Sequence, residues 1–501
     1  MRDEIDDLPK LPSGWIWTKL GEVASDPQYG WTTSAVADGE LHLLRTTDIT
    51  PGHVDWTSVP FCKDEPPDVA KYLLHDGDIV ISRAGSVGYS HLVKDPPKSV
   101  FASYLIRFQP LINNQYFAMF LTSPSYWGSI SDKSIGIALA NVNASKLKQI
   151  SMPLPPLPEQ HRILAKIEEL FTRLDTGVET LKKIKAQLKR YRQAVLKHAF
   201  EGKLTAEWRQ AHKHELEFAS VLLDRIKQER HKTAKGKYKE LPPLDTSDLS
   251  DLPDGWLWTL VEDVSILVTK GSTPTSYNFD YVPDGINFIK VENLKNGRLD
   301  RASISEFITK DTHDFLKRSQ LMKDDILFSI AGTIGKVAIV HSDDLPANIN
   351  QAIAVIRCPW EFINPCYLKL VLDSETARSS IERRPRGVGM NNVSLGDVKN
   401  IVFSLPPLPE QHRIVEEIER RFSVADEIEK TLDHSLKQAE RLRQSILKRA
   451  FEGKLVPQDS NDEPAEKLLE RIRQERARQQ AERKPAKSSR NKSNTKQMRL
   501  V

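Results

Sequence analysis

A ten-residue string, Leu154-Pro155-Pro156-Leu157-Pro158-Glu159-Gln160-His161-Arg162-Ile163, returns unchanged as Leu405 through Ile414, an offset of 251 residues. At the same offset Arg192 to Leu204 faces Arg443 to Leu455, with Ala199-Phe200-Glu201-Gly202-Lys203-Leu204 matched by Ala450 to Leu455. At a slightly smaller offset, Leu11-Pro12-Ser13-Gly14-Trp15 pairs with Leu252-Pro253-Asp254-Gly255-Trp256, and Leu223 to Ile226 pairs with Leu469 to Ile472. A period this long exceeds any stacking solenoid unit, so each copy is a whole domain followed by its own helix. The chain of 501 residues is also more than one hydrophobic core usually supports.

Within each copy, short apolar runs alternate with turn residues. Asp78-Ile79-Val80-Ile81 followed by Arg83-Ala84-Gly85-Ser86-Val87-Gly88 predicts strand, tight turn, strand, and Asp325 to Val337 repeats it with both glycines at the same spacing. Tyr116 to Leu121 and Tyr367 to Leu372 predict short helices, which makes the domains α+β. After Leu154-Pro155-Pro156-Leu157 the chain leaves an extended segment, and Pro158 suits the first turn of a helix with Glu159 at its positive end. Apolar residues at Ile163, Ile167, Leu170, Leu174, Val178, Leu181, Ile184, Leu188, Tyr191 and Val195 have a mean step of 3.56, the spacing of a coiled coil. The second copy repeats this through Ile414, Ile418, Phe422, Ala425, Ile428, Leu432, Leu436, Ala439, Leu442 and Ile446. Burying the two seams against each other as an antiparallel pair would hold the domains at opposite ends of a rod, with Gly202 and Gly453 capping the helices. The junction Leu204-Thr205-Ala206-Glu207 would then be the point at which to lengthen that rod.

Composition narrows the function without fixing it. The net charge of +4 neither demands nor excludes a polyanionic partner. Cys62, Cys358 and Cys366 lack a Cys-x-x-Cys spacing, which disfavours a disulfide framework or structural zinc and makes the cytoplasm the expected location. No apolar run approaches the roughly 18 residues of a membrane span. Residues after Arg476 are basic with almost no large apolar side chains, so disorder is expected there.

Catalytic motifs read better as structure. His161 and His412 fit first-turn helix chemistry. Asn364-Pro365-Cys366-Tyr367 resembles a methyltransferase motif that grips a flipped base, but its counterpart Asn113-Asn114-Gln115-Tyr116 has no proline. Gly332-Thr333-Ile334-Gly335-Lys336 is too short for a phosphate loop and has Val337 where Ser or Thr belongs. The divergent segments carry residues suited to phosphate or guanine edges: Arg45, Arg83 and Arg107 in the first copy, and Lys270, Lys290, Arg383, Arg384 and Arg386 in the second, the last three in a glycine-containing run that ends in Asn391 and Asn392.

On the doubled Leu-Pro-Pro-Leu-Pro-Glu-Gln-His-Arg-Ile, the doubled Ala-Phe-Glu-Gly-Lys-Leu and the paired Ala-Gly-[Ser/Thr]-[Val/Ile]-Gly hairpins, the chain resembles the specificity subunits of type I restriction-modification systems over nearly its whole length. The resemblance implies two target recognition domains, each reading half of a split double-stranded DNA site. It also implies that the repeated helices form the spacer and bind two modification subunits, with two restriction subunits completing the assembly. Chemistry would lie in those partners, S-adenosylmethionine in the modification subunits and ATP with magnesium in the restriction subunits, leaving this chain non-catalytic. The expected organisation is a first recognition domain at 1–153, a helix at 154–206, a linker with a short helix at 207–250, a second recognition domain at 251–404, a helix at 405–457, and a short helix with a basic tail at 458–501. A DNA-binding scaffold of a methylation-only system is the neighbouring alternative. A self-contained methyltransferase and a coiled-coil scaffold without a DNA role are the readings from other classes.

Overall fold

The computed structural model describes residues 8–134, 141–233, 244–382 and 393–478. The chain divides into two compact units, one made of Met1–Leu181 with Asp433–Val501 and the other of Lys182–Leu432. Each is mixed α/β, and both follow one plan.

In the first unit a ribbon of Ile16–Lys19 against Ser151–Leu154 ties the start of the globular domain to its end. One four-stranded antiparallel sheet runs in the order Gln28–Tyr29, Leu105–Phe108, Ile79–Ser82, Ser90–Leu92. A second contains His42–Leu44 parallel to Ser99–Phe101. The second unit repeats the ribbon as Leu257–Leu260 against Val402–Leu405. Its four-stranded sheet runs Leu267–Lys270, Ile353–Arg357, Ile326–Ser329, Val337–Ile339, and its parallel pair is Ile286–Ile289 with Ala347–Ile349. Ile79–Ser82 and Ile326–Ser329 are buried along their whole length, which explains their unbroken apolar character. The expected hairpins are present: Gly85 and Gly88 in one, Gly332 and Gly335 in the other, all have positive φ, between +70° and +85°.

The repeated helices are Leu157–Phe200 and Leu408–Phe451, 44 residues each. They stop before the residues 201–206 and 452–457 expected to continue them, because Gly202 and Gly453 take the left-handed conformation (φ +70° and +67°) that closes a helix. The junction Leu204–Glu207 therefore lies beyond the helix, and residues added there cannot lengthen it.

The two helices are shared between the cores in a way the sequence did not suggest. In the first unit Ile163 and Ile167, from the beginning of one helix, are buried in the same cluster as Ile446, Leu447 and Phe451, from the end of the other. In the second unit Ile414 and Ile418 join Val195 and Ala199. Within each unit the helical segments run antiparallel. Arg443 pairs with Asp175 and lies 4.3 Å over the Phe171 ring in the first, and Arg192 reaches Asp426 (2.7 Å) and Glu429 (3.0 Å) in the second. The expectation of a fully buried seam does not hold. Ile184, Tyr191, Ile428 and Leu442 are 38–51% exposed. A pair of helices covers only a narrow stripe of each, so these seam positions keep part of their apolar surface in water.

The short linker helix spans Ala219–Thr233, with Ala219, Leu222 and Ile226 buried. Its counterpart is helical over the described residues 465–478 and buries Ala465, Leu469 and Ile472. Arg230 donates to the Asp263 carbonyl (3.0 Å) and Arg476 to that of Gly21 (2.6 Å), so each arginine fastens its helix to the globular domain. The basic tail beyond residue 478 and residues 234–243 of the linker lie outside the described residues.

Candidate nucleic-acid interface

In each unit several loops converge at one end of the paired sheets. Gly30 and Gly271 mark the place. A Cβ on Gly30 would lie 2.2 Å from the Phe101 carbonyl oxygen, and one on Gly271 would lie 2.0 Å from that of Ile349. No other residue permits so close a backbone approach. Beside this crossing, the chain leaves the parallel strand at Arg45 in one unit and at Lys290 in the other. Both have φ −117° and ψ 169°, and both donate their backbone N–H to a side chain three residues on, Asp48 (2.8 Å) or Asn293 (2.8 Å). The two cations thus occupy one structural position.

The Arg45 side chain is 39% exposed, with its guanidinium on Asp48 at 2.8 Å and 3.1 Å. Lys290 pairs with Glu306 and stands 5.9 Å from the centre of the Tyr281 ring. Arg83, at the base of the first hairpin, stacks on Tyr29 (5.1 Å) and donates to Asn141 at 3.5 Å. The segment entering from the helical side is pinned identically in both units: Val142 N–H donates to the Arg83 carbonyl (3.0 Å), and Val393 N–H to that of Ile330 (2.8 Å). Lys270 ends its strand exposed, one residue before Gly271.

Arg45, Arg83, Lys270 and Lys290 therefore fall into this loop cluster, while Arg107 does not. Arg107 is 8% exposed and turned inward. It donates to the Leu73 (2.6 Å) and Lys71 (3.0 Å) carbonyls, Gln28 Oε1 (2.6 Å) and Asp78 Oδ2 (3.2 Å). It neutralises the buried Asp78, as Arg357 does for the equivalent Asp325 at 2.6 Å and 2.7 Å. The expectation that Arg107 contacts DNA is corrected: its donors are committed within the fold. Arg383, Arg384, Arg386, Asn391 and Asn392 lie outside the described residues; Val393, which follows them, belongs to the loop cluster. Sequence reading missed Tyr29 and Tyr104, 40% and 61% exposed at the same end. Extending the alignment of the two Leu-Pro-x-Gly-Trp strings would have paired Tyr29-Gly30 with Lys270-Gly271 and found the place.

The duplicated motifs have a different task. Glu410 is fully buried and accepts hydrogen bonds from Thr205 Oγ1 (2.6 Å), Arg209 Nη1 (2.7 Å) and Trp256 Nε1 (2.7 Å). Glu159 accepts from Trp15 Nε1 (2.9 Å) and Gln458 Nε2 (3.2 Å). Burial pushes the Glu159 carboxyl up from its ordinary range against the pull of these donors and of Arg162. Each glutamate thus joins the tryptophan that opens a globular domain to the residues that follow the other helix. His161 and His412 sit in the first helical turns, each near an asparagine, Asn113 (3.5 Å) or Asn364 (2.9 Å). Those asparagines cap helices: Asn364 Oδ1 accepts from the Cys366 and Tyr367 N–H groups, and Asn113 Oδ1 from those of Gln115 and Tyr116. Tyr367 is buried with its hydroxyl on the Ser404 carbonyl (2.7 Å), so this segment is a helix start rather than a base clamp. Burial pushes the Cys358 thiol up to about 12, unsuited to a nucleophile. Among the described residues no group of three or more His, Cys, Asp or Glu could hold a metal ion, and no helix is long and apolar enough to cross a membrane.

The family described as type I restriction modification DNA specificity domain matches twice, at residues 43–190 and 253–438. The chain is 29% identical over 493 residues to the type I restriction enzyme EcoBI specificity subunit of Escherichia coli, covering 95% of each. It is 27% identical over 500 residues to the EcoKI specificity subunit of Escherichia coli strain K12, covering 93% of this chain and 97% of that one. The fold is shared with the HsdS subunit from Thermoanaerobacter tengcongensis, with a TM-score of 0.51 at 18% identity over 90% of this chain and 99% of that one. It is also shared, with a TM-score of 0.64 at 18% identity over 89% and 100%, with a chain from a structure entitled as the basis of complex assembly and conformational transition of the type I R-M system. The chain belongs to the family of type I restriction-modification specificity subunits, with two copies of its DNA specificity domain.

Proposed function

We propose that this chain reads a bipartite, asymmetric site in double-stranded DNA, one half-site per unit, and recruits the subunits that act on that DNA. The observation that carries the reading is the doubled loop cluster. Gly30 and Gly271 hold the same backbone crossing, and Arg45 and Lys290 hold the same capped position, while the side chains around them differ. A common frame with different reading groups suits two unlike half-sites, with Arg45, Arg83, Lys270 and Lys290 as contacts to phosphates or base edges. Arg383, Arg384, Arg386, Asn391 and Asn392 extend the second interface in this proposal.

The repeated helices are the natural docking place for two modification subunits, because identical motifs suit identical partners. The exposed Ile184, Tyr191, Ile428 and Leu442 give a partner apolar surface to cover. Restriction subunits complete the complex. In this reading the chain itself is non-catalytic, acts in the cytoplasm, and leaves S-adenosylmethionine and ATP with magnesium to its partners. Helices of about 66 Å at 1.5 Å rise per residue would set the unread spacer between half-sites. A gel shift on random duplex DNA, by the full chain with and without modification subunits, tests the reading: retarded complexes that disappear at high salt support it. Absence of binding under both conditions, or methyl transfer from labelled S-adenosylmethionine by the chain alone, counts against it.

A further inference from the structure

In the second unit two aromatic side chains stand exposed at the edge of the loop cluster. Tyr277 (48% exposed) ends the short helix Pro274–Tyr277 that follows Gly271, and Phe315 (56%) ends the helix Lys310–Phe315. Their rings meet edge to face at 5.3 Å, and Phe279 supports Phe315 from 5.1 Å. Nothing in the core calls for so much aromatic surface in water. Charges of both signs lie close by: on the Phe315 helix Lys310 pairs with Asp314 (2.7 Å). Lys317 and Arg318, just after Phe315, are exposed, and Arg318 Nη2 donates to Thr269 Oγ1 (3.2 Å), beside Lys270. Thr273 Oγ1 donates to Gln351 Oε1 (2.5 Å) and fastens the start of the loop to the cluster.

The arrangement is not peculiar to one unit. In the first, Trp31 follows Gly30 and meets Tyr72, from the helix Val69–Tyr72, at 5.6 Å. There the pair is half-buried, with the indole N–H on the Asp64 carbonyl (2.9 Å). The frame thus places an aromatic pair between the loop after the close-approach glycine and the neighbouring helix. The divergence of sequence has pushed one pair out into solvent.

We propose that Tyr277 and Phe315 read a thymine methyl group in the half-site of the second unit. The proposal rests on the DNA-binding reading above. The exposed Lys317 and Arg318 bring the patch to the phosphates, and the groove floor offers an aromatic surface one apolar group, the C5 methyl of thymine in the major groove. Covering that methyl discriminates thymine from cytosine at that position without a hydrogen bond.

Removing the methyl alone tests this. The full chain, co-purified with its modification subunits, selects sites from a randomised duplex library, and one selected site is resynthesised with deoxyuridine replacing each thymidine in turn. At one position the wild type should bind about fourfold more weakly, the loss expected for one buried methyl. The double variant Tyr277→Ala/Phe315→Ala should be indifferent to the same change there while keeping its other preferences. Tyr277→Ser alone, which leaves the Phe279–Phe315 contact in place, should reduce the sensitivity and guards against a folding defect in the double variant. Sensitivity to deoxyuridine retained by both variants at every position overturns the proposal, as does a wild type insensitive at all of them. A wild type that selects no DNA overturns the DNA-binding reading itself and the proposal with it.

Discussion

Removal of the Glu410 carboxylate should damage the second unit more than the matching change damages the first, although the two glutamates occupy the same place in identical strings. Glu410→Ala strands three donors, the Thr205 hydroxyl, the Trp256 indole N–H and the Arg209 guanidinium, the last with a side chain only 17% exposed. Breaking a buried ion pair from one side costs about 3–5 kcal/mol. Glu159→Ala strands only the Trp15 indole, held at 2.9 Å, because the Gln458 amide, 3.2 Å from the carboxylate, keeps the Gly453 carbonyl at 2.8 Å; the loss is about 1–3 kcal/mol for a neutral donor. A unit of this size shifts its melting temperature by about 2–4 °C per kcal/mol, so Glu410→Ala should lower its transition by roughly 6–20 °C. Glu410→Gln should fall between the wild type and Glu410→Ala, because the amide keeps one acceptor and faces a donor with its nitrogen. Differential scanning calorimetry of the full chain reads all three. An effect of Glu410→Ala no larger than that of Glu159→Ala would refute the idea that this carboxylate clamps Arg209, Thr205 and Trp256 together.

Four further outcomes follow from the geometry. Arg107→Met should destabilise the first unit by about 3 kcal/mol, by leaving Asp78 buried without its cation, and should alter DNA preference only through loss of folded protein; urea titration beside binding to the selected site separates the two. Arg45→Ala and Lys290→Ala should each leave stability within about 0.5 kcal/mol but either relax one half-site or reduce the salt slope of binding by about one, as read by gel shifts over a salt series. Burial holds the native Glu159 carboxyl above its unfolded value of 4.5, so the native state keeps that proton longer and the wild type loses stability as pH rises from there; Glu159→Gln should flatten this part of the profile in urea midpoints taken from pH 4 to pH 6.5. Seven residues inserted after both Leu181 and Leu432 should widen the unread gap by about three base pairs, from ~10 Å of added helix at ~3.4 Å per base pair, and an unchanged gap in the selected sites would remove the helices as the ruler.

Much of the architecture was legible because the repeat supplies an internal comparison. The hairpin glycines Gly85, Gly88, Gly332 and Gly335 and the start of the helices at Pro158 and Pro409 follow from residue types whose backbone preferences are strong and local, whereas the capping role of Asn113 and Asn364 emerged only with the structure. The interface was less legible for a geometric reason. Loop insertions move the second copy steadily out of step with the first, so Arg45 and Lys290 stand 245 residues apart, Asp78 and Asp325 247, and Asn113 and Asn364 251. Equivalent positions therefore become visible only through strand register. Arg107 shows the other limit. A basic residue within a strand looks the same in sequence whether it faces a groove or a buried aspartate. Asp78, 29 residues away, decides which. The exchange of helix ends between units is a matter of tertiary packing. Apolar spacing gives the stripe along a helix, not the element that covers it, and so it could not show Phe451 against Tyr116 and Phe120 or Phe200 against Tyr367.

The most direct test of the central claim is the DNA itself. The full chain with its modification subunits, presented with a library of duplexes carrying a long randomised stretch, should enrich two short, unlike blocks of defined bases separated by an undefined gap of constant length. Exchanging residues 252 to 404 for the equivalent domain of another specificity subunit should replace one block and leave the other untouched. A single continuous block, a palindrome, or a change in both blocks on exchanging one domain would contradict the account.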